Sequence, residues 1–365
     1  MKRYTPKILI SYIIKEFSLS LLIFFIIFSS LIILSTFVEE IVFFKNKEIS
    51  NNFFLKILIL TLIKSPTLIL NFSPFITLFA GIFFYVKFIK NNEINPMSLS
   101  GFSLNFITLV PAVFSFFVGI IIITIFTPAS SQLSKYYESV KQKYSDNDNL
   151  LIMSNTGIWI KEKKNDDTLI IRTNRNTKEN FSELEDISIY YFKNNIFTKR
   201  VSASKAIIKE KEWNLYNVKI TSENFIKNFD NYKFKSSINL RELKNYFTNS
   251  DIYSIWSIND QLKELRQRGY YGQELIIKFN KYLSLPFLLF CMIIISTIFT
   301  IKINYNLNNF VYIFFGVLSG ILVYFLSDLS IALGKSGKIP IILSVWMPII
   351  LLMIYSIYSL LRNYD

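Results

Sequence analysis

Six stretches of about twenty apolar residues, three on each side of a polar middle, set the hydropathy pattern of this chain. Residues 17–38 carry no charge, which is length enough for a helix to cross roughly 30 Å of hydrocarbon. Further uncharged runs lie at 65–86 and 106–126, and, beyond the middle, at 282–301, 303–327 and 339–361. Pro66 and Pro74 fall inside the second run, so a kink is predicted near Pro74; Pro128 is read as the end of the third run.

The middle alternates in short pieces. Residues 156–162, 168–172, 186–192, 196–198, 206–209 and 213–220 read as strands, with turn chemistry at Asn165-Asp166-Asp167 and Lys193-Asn194-Asn195. That spacing predicts an antiparallel sandwich or open barrel. Residues 132–143 and 258–268 read as helical struts on either side of it. The expected fold class is therefore an α-helical membrane protein with six transmembrane helices, three plus three, and an inserted antiparallel β domain. The expected domains are 1–127 (spans one to three), 128–273 (β domain with struts) and 274–365 (spans four to six).

Composition agrees: at 52% hydrophobic and a mean hydropathy of +0.36, the chain is too apolar for an ordinary soluble domain of 365 residues. The net charge of +14 does not point to nucleic acid, because the Lys and Arg are scattered and no recognition motif occurs. The middle holds 24 of the 40 Lys+Arg and 18 of the 26 Asp+Glu, which leaves +8 on the membrane part, much of it at span ends facing anionic headgroups.

With the N-terminus inside, inner tails and short loops hold about eight Lys/Arg against about six outside, a bias toward N-in. It predicts Glu93 and Lys302 in the cytoplasm and Trp159 on the other side. The apolar run after residues 1–15 is too long for the h-region of a cleavable signal.

Candidate chemistry is sparse. Cys291, the single cysteine, excludes an intrachain disulfide. There is no histidine, so the commonest general base and metal ligand are missing. No phosphate-binding Gly-rich loop, HExxH or GxSxG is present, and the pairs Asp166-Asp167 and Glu185-Asp186 sit in or beside turns. A non-catalytic protein with no cofactor and no metal is expected.

Four motifs, in order along nearly the whole chain, resemble the lipopolysaccharide-export permeases of the LptF/LptG type. They are Asn92-Glu93-Ile94 through Met97 to Ser100-Gly101; Thr127-Pro128-Ala129 with Tyr136-Tyr137-Glu138; Leu262 to Gly269 with Glu274, Lys278 or Lys281 and Leu285-Pro286; and Ala332 to Pro340 through Trp346-Met347-Pro348. Phe37-Val38-Glu39-Glu40 and Ser154-Asn155-Thr156-Gly157-Ile158-Trp159 look more like the LptG side. Two departures stand out: Thr36 where that side often has lysine, and Asn95-Pro96 where the family's segment is usually apolar.

The resemblance implies a jelly-roll-like periplasmic domain and a multi-pass protein of the bacterial inner membrane. It implies a sister permease subunit in a heterodimer, a cytoplasmic ATPase dimer, a periplasmic β-structured bridge protein, and lipopolysaccharide as cargo. Residues 91–101 would be the ATPase-coupling segment, with Glu93, Met97 and Gly101 its candidate residues. Thr36, Phe37, Glu39, Glu40, Lys45 and Lys47 would line the lipid path, with Glu39 and Glu40 facing the partner or bridged by cations.

Three other readings compete with this one. A permease of the lipoprotein-release or mechanotransmission kind usually has four spans with its insert after the first. A polytopic membrane enzyme acting on lipid-linked substrates needs acids or metal ligands at the membrane face. A structural anchor needs no partner ATPase.

Overall fold

The computed structural model describes residues 7–45, 53–143, 150–154, 157–164, 167–173, 175–176, 183–193, 196–209, 212–222, 225–236, 250–267, 272–301 and 309–362. The helices are α1 (Lys7–Phe44), α2 (Phe53–Lys90), the short α3 (Ile94–Leu99), α4 (Leu104–Ile121), a π-helical turn (Ile122–Phe126) and α5 (Thr127–Lys143). After the sheet come a 3₁₀ turn (Ser250–Ile252), α6 (Ile255–Gln267), α7 (Gln273–Ile301), α8 (Asn309–Lys335) and α9 (Ile341–Arg362). Six helical stretches are long and apolar enough to cross a membrane: Lys7–Phe44, Phe54–Lys90, Leu104–Lys141, Gln273–Thr300, Phe314–Lys335 and Ile341–Arg362. The chain is thus a membrane protein with six candidate membrane-spanning helices among its described residues and an inserted antiparallel sheet.

The helices outrun the apolar runs that announce them, and Pro128 does not end the third. A proline denies an N–H to the carbonyl four residues upstream, so a helix that continues through it must satisfy that carbonyl otherwise. Here side chains do so repeatedly. Leu62 O, upstream of Pro66, accepts from Ser65 Oγ at 3.1 Å, and Leu70 O, upstream of Pro74, accepts from Ser73 Oγ at 2.8 Å. Ser344 O, upstream of Pro348, accepts from Ser330 Oγ at 2.6 Å. At Pro128 the π turn shifts the ladder by one residue. Ile123 O then takes the Thr127 hydroxyl at 2.6 Å, and Thr124 O takes the Trp256 indole N–H at 3.3 Å. The predicted strut at 132–143 is therefore the continuation of the third span.

Small residues set the close helix approaches. A Cβ at Gly119 would come within 2.7 Å of Pro286 Cα, and one at Gly334 within 2.6 Å of Ser344 Cβ, so α4 against α7 and α8 against α9 pack nearly backbone to backbone.

The strands are β1 (Leu150–Ser154), β2 (Gly157–Lys164), β3 (Asp167–Thr173), β4 (Arg175–Asn176), β5 (Glu183–Lys193), β6 (Ile196–Lys209), β7 (Glu212–Ser222) and β8 (Phe225–Lys235). They form one antiparallel sheet in the order β1-β2-β3-β5-β6-β7-β8, with β4 beside β5. The expected inserted antiparallel β domain takes the form of this single sheet, paired in chain order among the described strands. Its buried core includes Ile171, Ile189, Val201, Ala206, Trp213, Leu215 and Val218.

One line crosses four of these strands. Asp186, Ser204, Asn217 and Asp230 stand opposite one another between successive paired residues. Asp186 and Asn217 adopt φ of 50° and 53°, a conformation short polar side chains tolerate best. At the same line the inward residues step by three instead of two, from Leu215 to Val218 and from Ala203 to Ala206. The strands thereby swap faces together, which lets a chain-ordered sheet keep its apolar side on a shared core.

By internal contacts the chain divides into two units. One is 1–138 with 251–258 and 276–365; the other is 139–250 with 259–275.

Candidate functional site

The predicted sites fall at the two ends of the helix hairpin α1–α2, within the first of those units. The predicted coupling segment lies between α2 and α4. Asn92 turns the chain out of α2 in a left-handed conformation (φ 53°), and Gly101 (φ 88°) turns it out of α3. Glycine suits the second position, where a side chain would be strained. Pro96 falls in the first turn of α3, where its missing N–H has no helical acceptor to serve. The last turn is closed by Ser100 N–H to Pro96 O at 3.0 Å and Phe102 N–H to Met97 O at 3.2 Å.

This segment has two faces. Ile94 and Met97 are buried in one apolar cluster with Ile13 and Phe17 of α1 and Phe84 and Phe88 of α2. Asn95, Pro96 and Ser98 are exposed, and Leu99 is 89% exposed. Met97, a candidate coupling residue by the resemblance, lies on the buried face of the segment. Glu93 is half-buried: one carboxylate oxygen accepts from Tyr12 Oη at 2.9 Å, the other from Asn91 Nδ2 at 2.9 Å. Lys87 Nζ donates to Glu16 Oε2 at 2.6 Å close by. The Asn105 amide takes up Leu360 O at 3.0 Å, one of the carbonyls left open in the last turn of α9.

At the other end of α1, the structure brings the predicted lipid-path residues together unevenly. Thr36 is buried, its hydroxyl returned to Ile32 O at 2.6 Å, and Phe37 packs edge-on against Phe54 with centroids 5.5 Å apart. Glu39 is exposed and 2.7 Å from Lys64 Nζ on α2. Glu40 is fully buried, 3.8 Å from the same Nζ, and accepts the Tyr137 hydroxyl of α5. Lys64 also sits over the Tyr137 ring, 5.8 Å from its centroid. One lysine thus bridges both carboxylates and ties three helices. Lys45 is exposed at the end of α1, and Lys47 lies outside the described residues.

In the charge count of the sequence, Lys64 is one of the roughly six basic residues assigned to the outer short loops. The signal that marks it is its position: it follows the uncharged run Ile57-Leu58-Ile59-Leu60-Thr61-Leu62-Ile63 and so lies well inside a span. Lys278 of α7 is buried, pairs with Asp251 at 2.7 Å and faces the Tyr282 ring at 5.5 Å. Beyond it, Asn280 Oδ1 accepts the Trp346 indole N–H at 3.0 Å, pinning α7 to α9.

A protein-family model described as the lipopolysaccharide export system permease LptF/LptG matches residues 11–362. No curated protein matches the chain significantly.

Proposed function

The chain belongs to the LptF/LptG family of lipopolysaccharide export permeases, and from that premise we propose that it is one half of a heterodimeric ABC-type permease. In this reading it extracts lipopolysaccharide from the inner membrane. The observation that carries the reading is the extent of the family match, 11–362, over six spans interrupted by one β insert. Nucleotide hydrolysis belongs to a separate cytoplasmic ATPase dimer, which takes the exposed face of α3 and its turns; Glu93, Met97 and Gly101 frame that face rather than form it. Residues 1–127 and 274–365 are the membrane parts, and 128–273 is the periplasmic domain.

The sheet passes the lipid toward a periplasmic β-structured bridge. β8 supports this, because it ends the strand order and exposes Phe225, Ile226 and Phe229, the features of a docking edge. Thr36, Phe37, Glu39, Glu40, Lys45 and Lys47 mark the wall by which lipid enters. Lys45 and Lys47 stand where headgroup phosphates would lie. Phe37-Val38-Glu39-Glu40 favours the LptG-type half over its sister.

Purification of the tagged chain from its own membranes tests this. A stoichiometric ATPase and a sister permease are expected to copurify, and their absence would overturn the reading. Single cysteines in a Cys291→Ser background test the orientation. Position 93 should label only after the inner membrane is breached, and position 159 once the outer membrane alone is permeable. The reverse pattern would invert the topology.

A further inference from the structure

We propose that Tyr12 is a positioning residue that makes the coupling segment and α1 move as one body, so that α1 carries the ATPase stroke to the opposite end of the bundle. This rests on the permease reading above. Its basis is how the coupling segment is held.

The segment's inward residues, Ile94 and Met97, share one cluster with Ile13 and Phe17 of α1. The hydroxyl of Tyr12 then reaches Glu93 at 2.9 Å, across 81 residues of sequence. The Tyr12 ring lies stacked on Phe88 with centroids 6.0 Å apart and planes inclined by 20°, which aims the hydroxyl at the carboxylate. Glu16, one turn further along α1, holds Lys87 at 2.6 Å. Apolar packing alone lets a short helix slide or roll; a directed hydrogen bond at its first residue fixes its rotation about α1.

α1 is suited to carry what it receives. It spans Lys7–Phe44 without one proline or glycine. Each of the other five spans contains at least one: Pro66 and Pro74 in α2, Pro111 and the π turn in the third, Pro286 in α7, Gly316 and Gly320 in α8, Pro348 in α9. Such positions are where helices bend. A straight helix of this length measures about 57 Å at 1.5 Å per residue, so a tilt of about 5° at one end displaces the other by about 5 Å. That far end carries Glu39 and Glu40 with their shared Lys64. A displacement of about 5 Å exceeds the reach of any ion pair or hydrogen bond there.

The test uses the complete transporter in proteoliposomes containing lipopolysaccharide. Tyr12→Phe removes only the hydroxyl. The ATPase is expected to copurify at wild-type stoichiometry with unchanged basal turnover, while stimulation by lipid falls at least threefold. Glu93→Leu should lower the stimulation to the same level, and the double variant no further, because the two residues act through one contact. Wild-type stimulation in Tyr12→Phe, or additive losses in the double variant, would overturn the proposal.

Hydrogen exchange at residues 94–100 in the permease alone provides a readout independent of the ATPase. It should quicken severalfold in Tyr12→Phe, and an unchanged rate also overturns the proposal. If no ATPase copurifies with the wild-type chain, the permease reading fails, and the exchange result still decides whether Tyr12 holds the segment.

Discussion

Replacing Lys64 by methionine is expected to destabilise the membrane bundle by about 3–5 kcal/mol, the usual cost of stripping a buried charge of its partner. The reason is Glu40. Its side chain is fully buried, with Lys64 Nζ 3.8 Å from its carboxylate. Glu39, exposed and bound to the same ammonium at 2.7 Å, should contribute only about 0–1 kcal/mol, so Glu39→Gln serves as the control. The double variant Lys64→Met/Glu40→Gln should regain most of the lost stability, because the buried charge is removed with its cation, Glu39 stays exposed, and the Tyr137 hydroxyl still has an oxygen to bind. Unfolding of the purified chain in mixed micelles with increasing denaturing detergent measures all three. A Lys64→Met protein as stable as wild type would show that this cluster does not hold the three helices together.

Trp213→Ala should loosen the sheet by about 3–5 kcal/mol, the range for removing a large aromatic side chain from a core. Trp213 lies on β7, has no exposed surface, and meets Phe234 of β8 edge to face at 5.8 Å. Its indole N–H finds no hydrogen-bond acceptor among the described residues. Trp213→Phe should therefore cost markedly less than Trp213→Ala: it leaves a smaller void and forfeits no hydrogen bond. Pulse proteolysis of the full-length protein across a urea gradient, reading cleavage within 150–235, would rank the two. Equal losses for both variants would mean that the nitrogen, not the ring volume, is what the core requires.

Periodicity carried the architecture. Runs of uncharged residues gave six spans, because a helix crossing hydrocarbon satisfies its own backbone and needs nothing from the rest of the chain. Alternation gave the strands at 168–172, 186–192 and 213–220, which lie within β3, β5 and β7. The segment that the family resemblance marks at 91–101 is a short helix bounded by Asn92 and Gly101, both in left-handed conformations. These are local properties, legible in any window of a dozen residues.

The remainder depended on residues far apart in sequence. Pro128 reads as a helix end until Trp256 donates to Thr124 O, 132 residues earlier in the chain. Trp213-Asn214-Leu215-Tyr216-Asn217-Val218 reads as plain alternation with one irregular step. The step has a meaning only because Asp186, Ser204 and Asp230 stand at the same line in neighbouring strands. Met97 faces inward because Ile13 and Phe17 come to meet it, and the Glu39-Glu40 pair becomes a lock because Lys64 and Tyr137 arrive from two other helices. What this sequence determined alone is which segments are helix, strand and turn, since a helix satisfies its own backbone and alternation marks a strand whichever neighbour it pairs with. Which charges share a partner, and that the third span continues through Pro128, only the tertiary structure decided, because the groups that satisfy them lie 24 to 132 residues away.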